Sequence, residues 1–115
     1  MTKKEIGKKL EEWVLSKVKD IDPKARLSRA SGATNDYSDI TCNFAFIECK
    51  KRNTINITIK ESVWSHLNNN LPINTLKFCF MVHENKNGKR LVTLNAEEFF
   101  RMYKDYNNYL IGYNQ

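Results

Sequence analysis

Asp39, Glu48 and Lys50 lie within one stretch, Tyr37-Ser-Asp-Ile-Thr-Cys-Asn-Phe-Ala-Phe-Ile-Glu-Cys-Lys50, which can bring two acids and a lysine together. The pattern reads as two short strands joined by a tight turn at Asn43-Phe44. Side chains along a strand alternate between its two faces. Asp39 and Thr41 share one face of the first strand, and Phe46, Glu48 and Lys50 share one face of the second. The remaining set, Ile40 and Cys42 with Ala45, Ile47 and Cys49, is apolar and belongs in a core. A symmetric hairpin pairs Cys42 with Ala45 and Thr41 with Phe46, and the ladder carried further sets Asp39 opposite Glu48. Directly opposed side chains lie roughly 5 Å apart at Cβ, where like charges are destabilising. A divalent cation between them removes that penalty. Hard cations such as magnesium take oxygen ligands, often one or two carboxylates with waters and phosphates. Lys50, two residues beyond Glu48, points at the same place, beside an attacking water. The competing reading is a surface hairpin whose exposed face happens to carry Asp, Glu and Lys.

The elements around the hairpin follow from periodicity. Residues 3–21 read as an amphipathic helix with Ile6, Leu10, Trp13, Val14, Val18 and Ile21 at helical spacing. Glu11 falls at the edge of that stripe and Glu12 further toward solvent. Glu11 is therefore the acid placed to reach over the sheet edge into the site; the alternative is that both are solvated. Asp22-Pro23 ends the helix. Lys24 to Ser31 reads as a short strand, and Ser31 to Asp36 as a loop whose small residues let a backbone approach closely. Thr58 and Glu61 have capping-box spacing, with a helix from Ile59 to Asn68 burying Val63, Trp64 and Leu67. Leu76 to Val82 is a near-continuous apolar run, suited to a central strand. Asn87-Gly88 marks a hairpin into a strand at Arg90–Leu94. Asn95 and Glu98 signal a last helix carrying Phe99, Tyr103, Tyr106 and Leu110 on one side. His66 and His83 read as surface or capping residues.

This order predicts a single α/β domain over residues 1–115, a central mixed sheet flanked by helices. The formal charge of +6 favours a polyanionic partner. No run approaches the roughly 18 apolar residues of a membrane span, and the N-terminus lacks the apolar core of a signal peptide. Cys42, Cys49 and Cys79 are odd in number and fall in expected strands, which suits reduced, buried thiols in a cytoplasmic protein.

With these residues placed, the chain resembles the PD-(D/E)XK nuclease superfamily, and within it the small phage and archaeal-type Holliday junction resolvases. The resemblance runs from about Gly7 to Phe100. It rests on Gly7-Lys-Lys-Leu-Glu11, on Ser31-Gly32 after the first strand, on Asp39 and on Glu48-Cys49-Lys50. Phe44-Ala-Phe-Ile-Glu-Cys-Lys50 and Trp64 match features of the small phage members, and Ser38 stands where the superfamily name has Pro. The resemblance implies a restriction-endonuclease-like core and a Mg2+- or Mn2+-dependent endonuclease acting on four-way or branched DNA. It also implies a homodimer, in the cytoplasm of a host cell if phage-encoded. Asp39, Glu48 and the Cys49 carbonyl would hold the ion, and Glu11 would add a ligand. Lys50 would act on the water, and Ser31 would belong to the site. Lys8, Lys9, Arg26, Arg29, Lys51, Arg52 and Lys60 would meet phosphates. Other PD-(D/E)XK nucleases (repair, restriction or nicking) share these motifs, and a non-catalytic basic DNA-binding module is the reading from a different class.

Overall fold

The computed structural model describes residues 3–28, 38–69 and 76–113, with side chains from residue 7 onward. Among these are α1 (Lys3–Lys19), β1 (Arg26–Leu27), β2 (Ile40–Thr41), β3 (Ala45–Lys51), α2 (Glu61–Asn69), β4 (Phe78–Glu84), β5 (Arg90–Leu94) and α3 (Ala96–Tyr113). The order of elements is the expected one. The strands form one mixed sheet, β1-β2-β3-β4-β5, in which β3 and β4 are parallel and every other neighbouring pair is antiparallel. A parallel pair needs a crossover, and α2 lies within the connection between β3 and β4.

The two sheet faces have different cores. Leu10, Val14 and Val18 of α1 cover Ile40, Cys42, Ala45, Ile47 and Val82. On the opposite face Leu67 of α2, with Val63 and Trp64, covers Cys79 and Met81. The hairpin register is as expected, Thr41 with Phe46 and Ile40 with Ile47. Phe46, on the face of the acids, is nevertheless buried, under the Lys77 ammonium 4.8 Å from its ring.

Several boundaries differ from expectation. α1 stops at Lys19, and Ile21, expected in the apolar stripe, is 71% exposed. Trp13 is only partly covered, with the Arg90 guanidinium 4.1 Å from its ring. Asp22 does more than end a helix. Its buried carboxylate accepts hydrogen bonds from Lys24 N–H (3.0 Å), Asn43 N–H (2.7 Å) and the Asn43 amide (3.3 Å), tying the helix exit to the β2–β3 turn. The strand expected over 24–31 is paired only at Arg26–Leu27, and residues 29–31 lie outside the described residues. α2 begins at Glu61, two residues later than expected. The Lys60 carbonyl accepts the Val63 and Trp64 N–H groups, and Glu61 accepts the Ser65 hydroxyl at 3.0 Å. Leu76 lies outside β4 and is exposed.

The β4–β5 turn is built on Asn85. Its side-chain oxygen accepts the Asn87 and Lys89 N–H groups, each at 2.9 Å, and Gly88 takes φ = 83°, a value that favours glycine. Asn95 caps α3 by accepting Glu97 N–H at 2.8 Å. Glu98 does not reach back to close a capping box; it accepts Cys79 N–H across the sheet end at 3.2 Å. With the Arg101 guanidinium 4.3 Å from the Phe78 ring, this ties the N-terminal end of α3 to the sheet. The helix buries none of its described side chains, and Phe99, Tyr103 and Tyr106 are exposed. Among the described residues no helix is long and apolar enough to cross a membrane.

Candidate functional site

Asp39 sits one residue before β2, where that strand stops pairing with β3. Its carboxylate takes over from the backbone there: Asp39 Oδ2 accepts the Cys49 N–H at 2.8 Å. In an extended strand a residue's N–H and C=O point to the same side, so the Cys49 carbonyl also faces the Asp39 edge. Glu48 lies opposite Asp39 in the continued register, close enough for the Asp39 charge to act on it. Lys50, on the same face of β3, places Nζ 3.5 Å from Glu48 Oε1.

The pair resists double ionisation. Burial first, then the charge of Asp39, push the Glu48 carboxyl up to about 7, against the opposing pull of Lys50. Glu11 belongs to the same field. Partial burial raises its pKa, and the charges of Asp39 and then Glu12 add to that, while Glu12 itself points to solvent. Glu11 is thus half-buried at the edge of the apolar stripe, and Glu12 is exposed. The neighbouring thiols are held in their protonated form. Burial and the surrounding carboxylates raise the Cys49 pKa far above the usual thiol value, and burial with Glu98 and Glu48 pushes Cys79 to about 12.

The structure thus brings Glu11, Asp39, Glu48, Cys49 and Lys50 to one end of the sheet. Among the described residues no group of three His, Cys, Asp or Glu side chains is gathered closely enough to hold an ion. Asp39 and Glu48 stand as a pair with Glu11 within electrostatic range. Ser31 and Arg29 lie outside the described residues. Of the basic residues expected to meet phosphate, Lys8, Lys9, Arg26 and Lys60 are exposed and Arg52 is half-buried. Lys51 points away from Lys50, and its ammonium is held by Glu84 Oε1 (3.3 Å) and the Asn85 carbonyl (2.9 Å).

One residue of this neighbourhood was misread from the sequence. His83, expected at the surface, is fully buried in β4 directly beside Lys50 in the ladder. Neither ring nitrogen has a hydrogen-bond partner among the described residues. Burial, then the charges of Arg52 and Lys50, lower its pKa and keep it neutral at physiological pH. The alternation of Cys79, Met81 and His83 puts the three on one face of β4, but the register against Lys50 depends on a parallel pairing that no turn sets. The chain matches no protein-family model, no curated protein and no solved structure.

Proposed function

We propose that this protein is a metal-dependent DNA endonuclease of the PD-(D/E)XK kind with a restriction-endonuclease-like core. Its proposed substrate is four-way or branched DNA, cut as a Holliday junction resolvase cuts it, by a homodimer. The observation that carries the reading is the facing of Asp39 and Glu48 across the hairpin, with Asp39 anchored by the Cys49 N–H and Lys50 Nζ 3.5 Å from Glu48. Two opposed carboxyls at a strand end are unfavourable for the fold alone. Their oxygens suit a hard divalent cation, Mg2+ or Mn2+.

Asp39, Glu48 and the Cys49 carbonyl would hold the ion, with Glu11 contributing directly or through water. A divalent ion there supplies Lewis acidity, making water more nucleophilic and offsetting charge on phosphoryl oxygens. The protein's own residues do the rest. The Cys49 N–H holds the Asp39 carboxylate in orientation. Glu48, when charged, keeps Lys50 aimed at the reacting end of the sheet. Lys50 orients or deprotonates the attacking water, or steadies the charge of the transition state. Exposed lysines and arginines position the backbone without reading sequence.

Cleavage of labelled branched and linear DNA, with and without magnesium, tests the reading. Asp39→Asn and Glu48→Gln are expected to abolish cleavage while retaining junction binding, and Lys50→Ala to be inactive. Glu11→Ala is expected to be far more damaging than Glu12→Ala. Near-normal turnover by Asp39→Asn or Glu48→Gln removes the metal-site reading. DNA binding by the wild type with no cleavage under any divalent ion leaves a basic DNA-binding module.

A further inference from the structure

Beyond the C-terminal end of β3 the chain forms a ledge that the site described above does not use. Residues 52–55 are pinned to the end of β4 and the β4–β5 turn by three hydrogen bonds. Arg52 N–H donates to the Glu84 carbonyl (2.8 Å), Lys86 N–H to the Thr54 carbonyl (2.8 Å) and the Asn85 side-chain amide to the Ile55 carbonyl (3.0 Å). The Thr54 hydroxyl donates to the Asn56 carbonyl at 2.8 Å, closing the ledge on itself. This preformed backbone holds Ile55 outward, 63% exposed. Two grooves, of about 700 Å³ and about 410 Å³, share Ile55 and Asn56 in their lining, the first with Lys89 and Leu91 and the second with Asn53 and Lys86.

The lining has a consistent chemistry. It contains lysines, asparagines, a threonine pair and exposed aliphatics, and no acid. The acid nearest in sequence, Glu84, is neutralised by Lys51 at 3.3 Å and Arg90 at 3.6 Å. Asn85 is fully engaged in the turn, whereas Asn53, Asn56 and Asn87 are exposed. Cationic side chains flanking amides suit phosphates beside base edges, and an exposed aliphatic held at their centre suits a wedge against a base step. Glu48 precedes Asn53 by five residues on the same strand and its extension, so the two are at most roughly 18 Å apart. That is about five base pairs of duplex rise.

We infer that this ledge is a second nucleic-acid contact, in which Lys86 and Lys89 take backbone phosphates and Ile55 presses on a base step of the same DNA that reaches Asp39 and Glu48. The inference rests on the reading of DNA as the partner, but not on cleavage. The test is fluorescence anisotropy on a four-way junction and on duplex, in EDTA, from about 50 to 200 mM salt. Each neutralised phosphate contact contributes about 0.9 to the slope of log affinity against log salt. The double variants Lys86→Ala/Lys89→Ala and Lys86→Gln/Lys89→Gln are expected to bind roughly tenfold or more weakly at low salt, with a slope smaller by about 1.8. Ile55→Ser is expected to keep the wild-type slope but lose the fluorescence rise of 2-aminopurine placed at the branch. Wild-type slope and affinity in both double variants overturn the phosphate contact, and an unchanged 2-aminopurine signal in Ile55→Ser overturns the wedge. A wild-type chain that binds neither DNA overturns the DNA reading as a whole. Lysine-dependent binding without cleavage in magnesium retains the ledge and removes only the nuclease.

Discussion

Glu48 is an acid whose proton the fold favours. Its folded pKa of about 7 lies above the ordinary 4.5, so the folded state binds more protons than the unfolded state between those values. Stability from this group is full below pH 4.5 and is lost as pH rises through 7. Glu11 acts in the same direction, whereas buried His83, with its lowered pKa, acts in the opposite one. The informative comparison is therefore wild type against Glu48→Gln in metal-free buffer. Wild type is expected to lose about 1 kcal/mol more than the variant between pH 5 and 8, a value discounted for the solvent that reaches this carboxyl. In thermal melts this is a difference of about 4 °C or more. If ion binding resolves the repulsion, saturating magnesium restores wild-type Tm at pH 8 and does nothing for Asp39→Asn. Equal pH profiles for wild type and Glu48→Gln would show that the fold does not raise the Glu48 pKa.

The hairpin was legible because alternation and a short turn fix register locally. Ile40, Ala45 and Ile47 are buried where a period of two puts them, and Asp39 meets Glu48 by counting from Asn43-Phe44. Two things were not legible. One is Asp22, which reads as a helix stop in sequence, yet its carboxylate accepts three hydrogen bonds, two of them from a residue 21 positions later. The other is His83, whose position beside Lys50 follows from β3 and β4 running parallel across a crossover of free register. Capping signals were partly legible. Asn95 caps α3 as read, but Thr58 does not cap α2, because the Lys60 carbonyl takes the first helical N–H groups. Asp22→Ala is expected to cost about 2–3 kcal/mol, since it strands the Asn43 N–H at the turn that sets the site's register. It should also lower magnesium affinity, with the loss appearing in Asp22→Ala and not in a surface control such as Lys24→Ala. Unchanged stability on chemical denaturation would show that the turn holds without Asp22.

The molecule measures 52 × 33 × 29 Å, with a radius of gyration of 15.3 Å. A compact chain of this length would have a radius of about 13 Å. α3 exposes a run of aromatic side chains. Phe99, Phe100, Tyr103, Tyr106, Tyr109 and Tyr113 are between 39% and 76% exposed, and no described α3 side chain is fully buried. These rings leave apolar area on the order of 700 Å² open, close to the roughly 800 Å² that each partner buries in a standard interface. Resolving a four-way junction requires cuts on two strands of like polarity. One chain offers one Asp39, Glu48 and Lys50 set, so two symmetric cuts need two copies, which a two-fold dimer supplies. Pairing through α3 would leave the carboxylate end of the sheet, on β2 and β3, free in each copy. Sedimentation at micromolar concentration is expected to give about twice the 13.5 kDa chain mass. Tyr106→Asp with Phe99→Asp should return the chain mass and convert paired cuts into single nicks, with the Asp39 and Glu48 chemistry intact. A dimer that survives both substitutions would place the interface elsewhere. A strict monomer, free and junction-bound alike, would remove the resolvase reading and leave a single-strand nicking nuclease as the account that fits one site per molecule.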